Sequence, residues 1–307
     1  MPHSIAHRTA SDVVAGSHLT GRRAIVTGGS SGLGEEIARS LASAGAEVTL
    51  AVRDVAAGTA AAERIHSSTG RVRPAVIELD LMSPSSIAKA ASGWSGPLDI
   101  LVANAGIMVP PEFRTPDGWD SQFMTNYLGH YAFVTRLHAA LAASGDARVV
   151  LASSNAHLLA PVDLDAISDR TAPYEPWSAY ARSKTALILF AVEANRRWGR
   201  DGIAVTAYNP GFIQTGLQQH MPAEQRVSAA GAKTVGEGAA TPVMLATTSE
   251  PGTGGKYFEN LAEAPAAVDE ERDMARPETF RGVAPFALDP AAAAELWEFS
   301  ARATLAW

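Results

Sequence analysis

No cysteine occurs anywhere in the 307 residues. Disulfides, thiol nucleophiles and thiolate metal ligands are therefore all excluded. No apolar run reaches 18 residues, so nothing in the sequence reads as a membrane-spanning helix. The opening run MPHSIAHRTASDVVAGSHLTGRR lacks the continuous apolar stretch of a signal peptide. Positive charge is scarce as well: 25 Lys and Arg stand against 32 Asp and Glu, a net charge of −7. That balance argues against a general nucleic-acid or anionic-membrane surface. His, Asp and Glu nowhere fall at metal-ligand spacing, so no catalytic metal is expected. What remains is 47% apolar and 19% charged residues, an ordinary globular composition with a sizeable core. A soluble, cytoplasmic protein is expected.

The chain alternates strand-like and helix-like segments. Apolar runs at 23–27, 48–52, 72–79, 98–103, 147–153, 203–208 and 255–258 read as strands. Between them, helical spacing places helices to about Ser68, after Ser83-Pro84, over 117–143, over 177–198 and over 233–247. Such alternation indicates an α/β fold, a doubly wound parallel sheet of about seven strands with helices on both faces. No linker, repeat or low-complexity tract divides it. Residues 1–20 read as an N-terminal segment, 21–258 as one α/β domain, and 259–307 as a C-terminal extension packed on it. Asp289-Pro290 opens a terminal helix in that extension.

After the first strand comes Thr27-Gly28-Gly29-Ser30-Ser31-Gly32-Leu33-Gly34, opening the first helix. Glycines there allow a tight turn and a close backbone approach, so a pyrophosphate can rest on the positive helix N-terminus. The second strand's end bears on the cofactor. An acid there binds the ribose 2′-hydroxyl of NAD, whereas an arginine accommodates the 2′-phosphate of NADP. Here Val52 holds the acid's place and Arg53 follows, which favours NADP(H) with NAD(H) still possible. The plainer alternative makes Arg53 a solvated loop residue and Asp54 a helix cap.

Tyr180 and Lys184 lie one turn apart in Tyr180-Ala181-Arg182-Ser183-Lys184. Residues at i and i+4 share a helix face, about 5–6 Å apart at Cβ. An ammonium so close favours the phenolate. Bringing a phenol from near pH 10 to neutrality takes about 4 kcal/mol, and a unit charge about 4 Å away at an effective dielectric near 20 supplies about that much. The pair therefore reads as an acid/base device, with Lys184 expected to lower the Tyr180 pKa.

Together these motifs resemble the short-chain dehydrogenase/reductase family, with its TGxxxGxG turn, YxxxK pair and Rossmann-type fold, over residues from roughly Leu19 to Phe258. Asn104-Ala105-Gly106 resembles the family's NNAG element, with Ala103 in place of its first asparagine. Asp80, with Leu81, resembles the element beside the adenine ring. Asn126 stands at the catalytic asparagine, Ser154 at the catalytic serine, and Pro210-Gly211 with Thr215 at the segment holding the nicotinamide. The run NAGIM…TPDGW…QFMTNYLGHY is similar to the branch of retinol dehydrogenases and the WW-domain oxidoreductase. The resemblance implies that Tyr180 moves a proton and that Ser154 steadies negative charge on the substrate oxygen. It implies that Lys184 also bonds the nicotinamide ribose, and that Asn126 holds a helix kink and a water serving Lys184. It further implies a homodimer or homotetramer through the two long helices, which the terminal extension could obstruct.

Ser153 rivals Ser154, because neighbouring strand residues point oppositely. His130 and His157 read as hydrogen-bonded structural residues. The substrate mouth is expected from 155–176 and 212–231, carrying Leu158, Leu159, Tyr174, Phe212, Ile213, Leu217 and Met221, joined by Met108. Gly216 and Gly231 suggest a lid there. The set fits a largely apolar small molecule, and the expected reaction interconverts an alcohol and a ketone or aldehyde. A catalytically silent nucleotide-binding sensor or scaffold and an NAD-preferring alcohol dehydrogenase are the alternatives. An epimerase or dehydratase of the extended type fits worse, since its usual TGxxGxxG spacing differs.

Overall fold

The apolar runs pair edge to edge because each can bury both faces only inside a sheet covered on two sides. In the computed structural model, residues 8–169, 171, 173–218, 232–250, 252–268 and 279–307 are described. The strands are β1 (Arg23–Thr27), β2 (Glu47–Val52), β3 (Ala75–Glu78), β4 (Ile100–Ala103), β5 (Ala147–Ala152), β6 (Ile203–Asn209), β7 (Tyr257–Glu259) and β8 (Ala262–Glu263). They form one sheet ordered β3-β2-β1-β4-β5-β6-β7-β8. Every pairing is parallel except β7 with β8, a two-residue antiparallel addition that the sequence pattern does not announce.

The helices are α1 (Ala10–Val14), α2 (Gly32–Ser43), α3 (Val55–Thr69), α4 (Pro84–Ser92), α5 (Gly129–Arg136), α6 (His138–Ser144), α7 (Leu164–Ser168), α8 (Pro176–Trp198), α9 (Val235–Thr247) and α10 (Pro290–Ala303). Strand alternation divides the core. Ile25 and Leu101 face the layer of α4, α5, α8 and α10, while Val26, Ile100 and Val102 face the layer of α1, α2, α3 and α9. Helix α1 was not anticipated. It is closed by a capping box in which Thr9 and Asp12 satisfy each other's backbone N–H groups.

The single helix expected over 117–143 is instead segmented. It starts only after Asp120, whose carboxylate accepts from the backbone N–H groups of Gln122 and Phe123. Phe123–Leu128 is a π-helical turn, and a second break at Leu137 separates α5 from α6. Gly129 follows the π turn because a Cβ there would overlap the Leu81 carbonyl oxygen. The outer surface of α5 and α8 is covered by α10. Trp297 packs on Tyr131, Phe190 and Trp198, and Tyr127 meets Ser300 at 2.6 Å.

Strand order reverses between β1 and β4, so the loops leaving their C-terminal ends diverge and open a crevice. The site lies there.

Candidate active site

Three backbone devices shape the glycine-turn end of the crevice. Gly34 starts α2 against the preceding turn, where a Cβ would overlap the Gly28 carbonyl oxygen. The N-terminus of α2 has no side-chain cap, since Ser31 makes no capping hydrogen bond. Its N–H groups therefore remain donors at the cavity wall, facing Thr215 beyond Gly32, the chemistry an anionic pyrophosphate requires. Asn209 Oδ1 accepts from the Gly211 N–H at 3.1 Å and turns Pro210-Gly211 into the same cavity.

Thr27, at the end of β1, ties these parts together. Its Oγ1 accepts from the backbone N–H groups of Asn104 and Ala105, each at 2.9 Å. Both lone pairs being taken, its own proton points at His130 Nε2, 2.9 Å away. That nitrogen is therefore the acceptor, and Nδ1–H donates to the Asn126 carbonyl at 2.9 Å. His130 is thus neutral in a defined tautomer. Burial pulls its pKa down to about 4.

The side chains expected from sequence to react come from the end of β5 and the first turns of α8. Tyr180 and Lys184 line one cavity of about 1080 Å³ with Ser154. Tyr180 and Ser154 share a hydrogen bond. Ser153 is spent elsewhere, donating from Oγ to the Lys184 backbone carbonyl at 2.7 Å. Of the two rival serines, Ser154 is thus the one whose hydroxyl meets Tyr180. The Lys184 ammonium donates to the Ala152 carbonyl at 2.7 Å and sits 5.5 Å from the centre of the Tyr180 ring.

One expectation is corrected. Lys184 does not bring the phenol toward neutrality in these surroundings. Burial pushes Tyr180 up to about 12, partly offset by the hydrogen bond with Ser154. Burial likewise pulls Lys184 down to about 7. Coulomb attraction rewards the pair only when both charges are present, and desolvation discourages each of them.

The cavity brings together every residue expected from sequence to be catalytic or cofactor-binding except one. Gly28, Ser30, Ser31, Gly32, Leu33 and Gly34 form its glycine-rich rim. Arg53, Asp80 and Leu81 lie toward the end of β2 and the loop after β3. Asn104, Ala105 and Gly106 follow β4, and Pro210, Gly211 and Thr215 follow β6. Arg53 is exposed and makes no ion pair among the described residues, whereas Asp54 caps α3 through the Ala57 N–H. Asn126 is the exception. It is fully buried behind the wall, accepting from Ile107 N–H at 2.9 Å and donating to Ile107 O and Ser183 Oγ at 3.0 Å.

Of the residues expected to form a substrate mouth, Leu159, Met108, Phe212, Ile213 and Leu217 line the cavity. Leu158 is instead core, and Tyr174 holds loops down by donating to the Pro110 carbonyl and accepting from Gln122. Met221 and Gly231 lie outside the described residues. Sequence reasoning missed Trp177, Lys233, Glu259 and the C-terminal Phe280 and Arg281, all on the wall. No motif marks them, because they arrive from distant parts of the chain. His157, fully buried, bonds the Ser154 carbonyl through Nδ1 at 2.7 Å.

The short chain dehydrogenase family model matches residues 22–226. A protein of Streptomyces antibioticus named as a probable oxidoreductase is 46% identical over 300 residues, covering 93% of this chain and 98% of its own. Human retinol dehydrogenase 13 is 34% identical over 274 residues, covering 84% and 82%. The crystal structure of an uncharacterized protein from Mycobacterium paratuberculosis is similar at a TM-score of 0.75 and 32% identity, with 97% of each chain covered.

Proposed function

This chain belongs to the short-chain dehydrogenase family, and on that premise we propose that it interconverts an alcohol and a ketone or aldehyde on a largely apolar small molecule, using NADP(H). One observation carries the reading. The hydroxyls of Ser154 and Tyr180 and the ammonium of Lys184 share the wall of a cavity that continues to the glycine turn at the sheet's switch point. The volume of about 1080 Å³ exceeds the range of about 300–1,000 Å³ for one small-molecule site, leaving room for cofactor and substrate together.

The residues fit a dinucleotide. The uncapped start of α2 and Thr215 would take the pyrophosphate, Asp80 and Leu81 would flank the adenine, and Arg53 would take a 2′-phosphate. Asn104, Ala105, Gly106, Pro210 and Gly211 would shape the nicotinamide end, where Tyr180 and Lys184 would meet the ribose. When bound, the cofactor supplies or accepts the hydride.

The chain's own groups handle the proton and the developing charge. In reduction, Tyr180 donates its phenolic proton to the carbonyl oxygen while the Ser154 hydroxyl hydrogen-bonds the same oxygen as charge builds there. A phenol with its pKa pushed up to about 12 stays protonated at neutral pH, the form that donation requires. Lys184, when charged, offsets the negative charge left on Tyr180. Asn126 acts at one remove as a positioning residue. It braces Ile107 beside the cavity and Ser183 beside Lys184 from the π-helical turn. A homo-oligomer belongs to the same proposal, on a surface other than the face of α5 and α8 that α10 covers.

A panel of aliphatic, aromatic and terpenoid-like alcohols and ketones, read by NADPH absorbance with NADH in parallel, tests the reading. Turnover of apolar members that Tyr180→Phe nearly abolishes, with NADPH affinity kept, is the expected result. Full activity in that variant overturns the acid/base role. Cofactor binding without turnover anywhere in the panel points to the silent sensor.

A further inference from the structure

Three side chains around Ser154 reach past the reacting groups to grip a distant stretch of chain. Asn155 Nδ2 donates to the Phe280 carbonyl and, at 3.0 Å, to Glu259 Oε2. The other carboxylate oxygen of Glu259 accepts from the Gly282 N–H at 2.9 Å. His157, bonded through Nδ1 to the Ser154 carbonyl, accepts at Nε2 from the Ala284 N–H at 3.1 Å. Tyr257 completes the network by donating to Asn155 Oδ1 at 2.7 Å, which fixes the orientation of that amide. Asn155, His157 and Glu259 thus together hold residues 280–284 beside the site. Glu259 and His157 are buried, so these bonds form out of competition with water.

The strap does more than pack. Phe280 is 6% exposed and packs with the main hydrophobic core, yet it is also one of the residues lining the cavity that Trp177 and Leu159 line. We infer that residues 280–284 are the outer wall of the substrate pocket, that Phe280 sets the size of the alcohol or carbonyl compound admitted, and that Glu259 is the positioning residue that clamps this wall. The assignment rests on the reaction reading above, which makes the cavity beside Tyr180 and Ser154 the substrate end.

Glutamate is specifically suited to this clamp. Its two oxygens face two donors, Asn155 Nδ2 and Gly282 N–H, and a glutamine offers one acceptor and one donor in the same space. In Glu259→Gln one bond must therefore fail, although shape is kept. Phe280→Ala removes bulk from the wall without touching the carbonyl that Asn155 holds.

Two readouts decide the matter. In the full-length protein, hydrogen exchange over residues 280–288 is expected to be at least tenfold faster in Glu259→Gln than in wild type. Equal exchange overturns the clamp. With 2-acetonaphthone and 2-butanone as the bulky and small ketones, Phe280→Ala is expected to raise the bulky-over-small ratio of kcat/KM at least tenfold. Phe280→Trp is expected to lower it. An unmoved ratio in both variants overturns the role of Phe280. If wild type reduces neither ketone nor any other member of the panel, the reaction reading fails by itself, and the exchange comparison alone decides the clamp.

Discussion

His130 gives the most quantitative prediction, because hydrogen-bond direction and burial agree on it independently. Thr27 has no lone pair left to meet a second proton, so protonating Nε2 sets donor against donor. Burial and the nearby Lys184 oppose the same charge. With a folded pKa of about 4 against 6.5 for an ordinary histidine, the unfolded chain binds more protons between those values. Stability contributed by the neutral ring is therefore complete above pH 6.5 and is lost as pH falls toward 4. Roughly two and a half pKa units correspond to on the order of 3 kcal/mol, a large part of the 5–15 kcal/mol typical of a domain. Urea unfolding of wild type and His130→Gln at pH 7.5, 6, 5 and 4 separates this from the general effect of carboxylates, which both proteins share. The variant is expected to be less stable at pH 7.5, with the gap narrowing by on the order of 3 kcal/mol by pH 4. Parallel stability curves would refute the tautomer argument. The same protonation loosens Thr27 from Asn104 and Ala105, so NADPH affinity is expected to weaken over the same pH window.

The remaining predictions concern chemistry. Ser154→Ala is expected to lower kcat about a hundredfold, by analogy with loss of one oxyanion donor, whereas Ser153→Ala is expected to cost about 1 kcal/mol of stability with little effect on kcat. Equal kcat losses in the two would undo the distinction between them. Lys184 carries its charge below about pH 7 and loses it above, so carbonyl reduction is expected to fall as pH rises through 7. Lys184→Arg, always charged, should move that fall out of reach, and an unchanged profile in the variant would refute the assignment. Arg53→Ala is expected to raise KM for NADPH about tenfold or more, about the discrimination of one charge-assisted contact, with KM for NADH nearly constant. Equal effects on both cofactors would leave Arg53 a solvated loop residue.

Local chemistry was legible from the sequence where one segment carried it. The strand ends, the glycine turn, the i, i+4 spacing of Tyr180 and Lys184, and Asp54 as a helix cap all depend on residues a few positions apart. The broken helix over 117–143 was less legible. Its π turn depends on Asn126 finding Ile107 and Ser183, and on Gly129 passing the Leu81 carbonyl, partners distant in sequence. The terminal helix was visible at Asp289-Pro290, but not the face it covers.

By itself, then, the sequence determined the alternating α/β order, the glycine-rich turn and the spacing of Tyr180 and Lys184, because periodicity and turn chemistry act over a few residues. Tertiary structure alone decided which serine faces the phenol, since Ser153 is claimed by the backbone of α8. It also decided the direction in which burial shifts each member of the pair, because desolvation depends on everything packed around Tyr180 and Lys184 rather than on their separation. And it alone delivered Phe280 to the pocket, through hydrogen bonds from Asn155, Glu259 and His157 to a strap more than a hundred positions beyond Ser154.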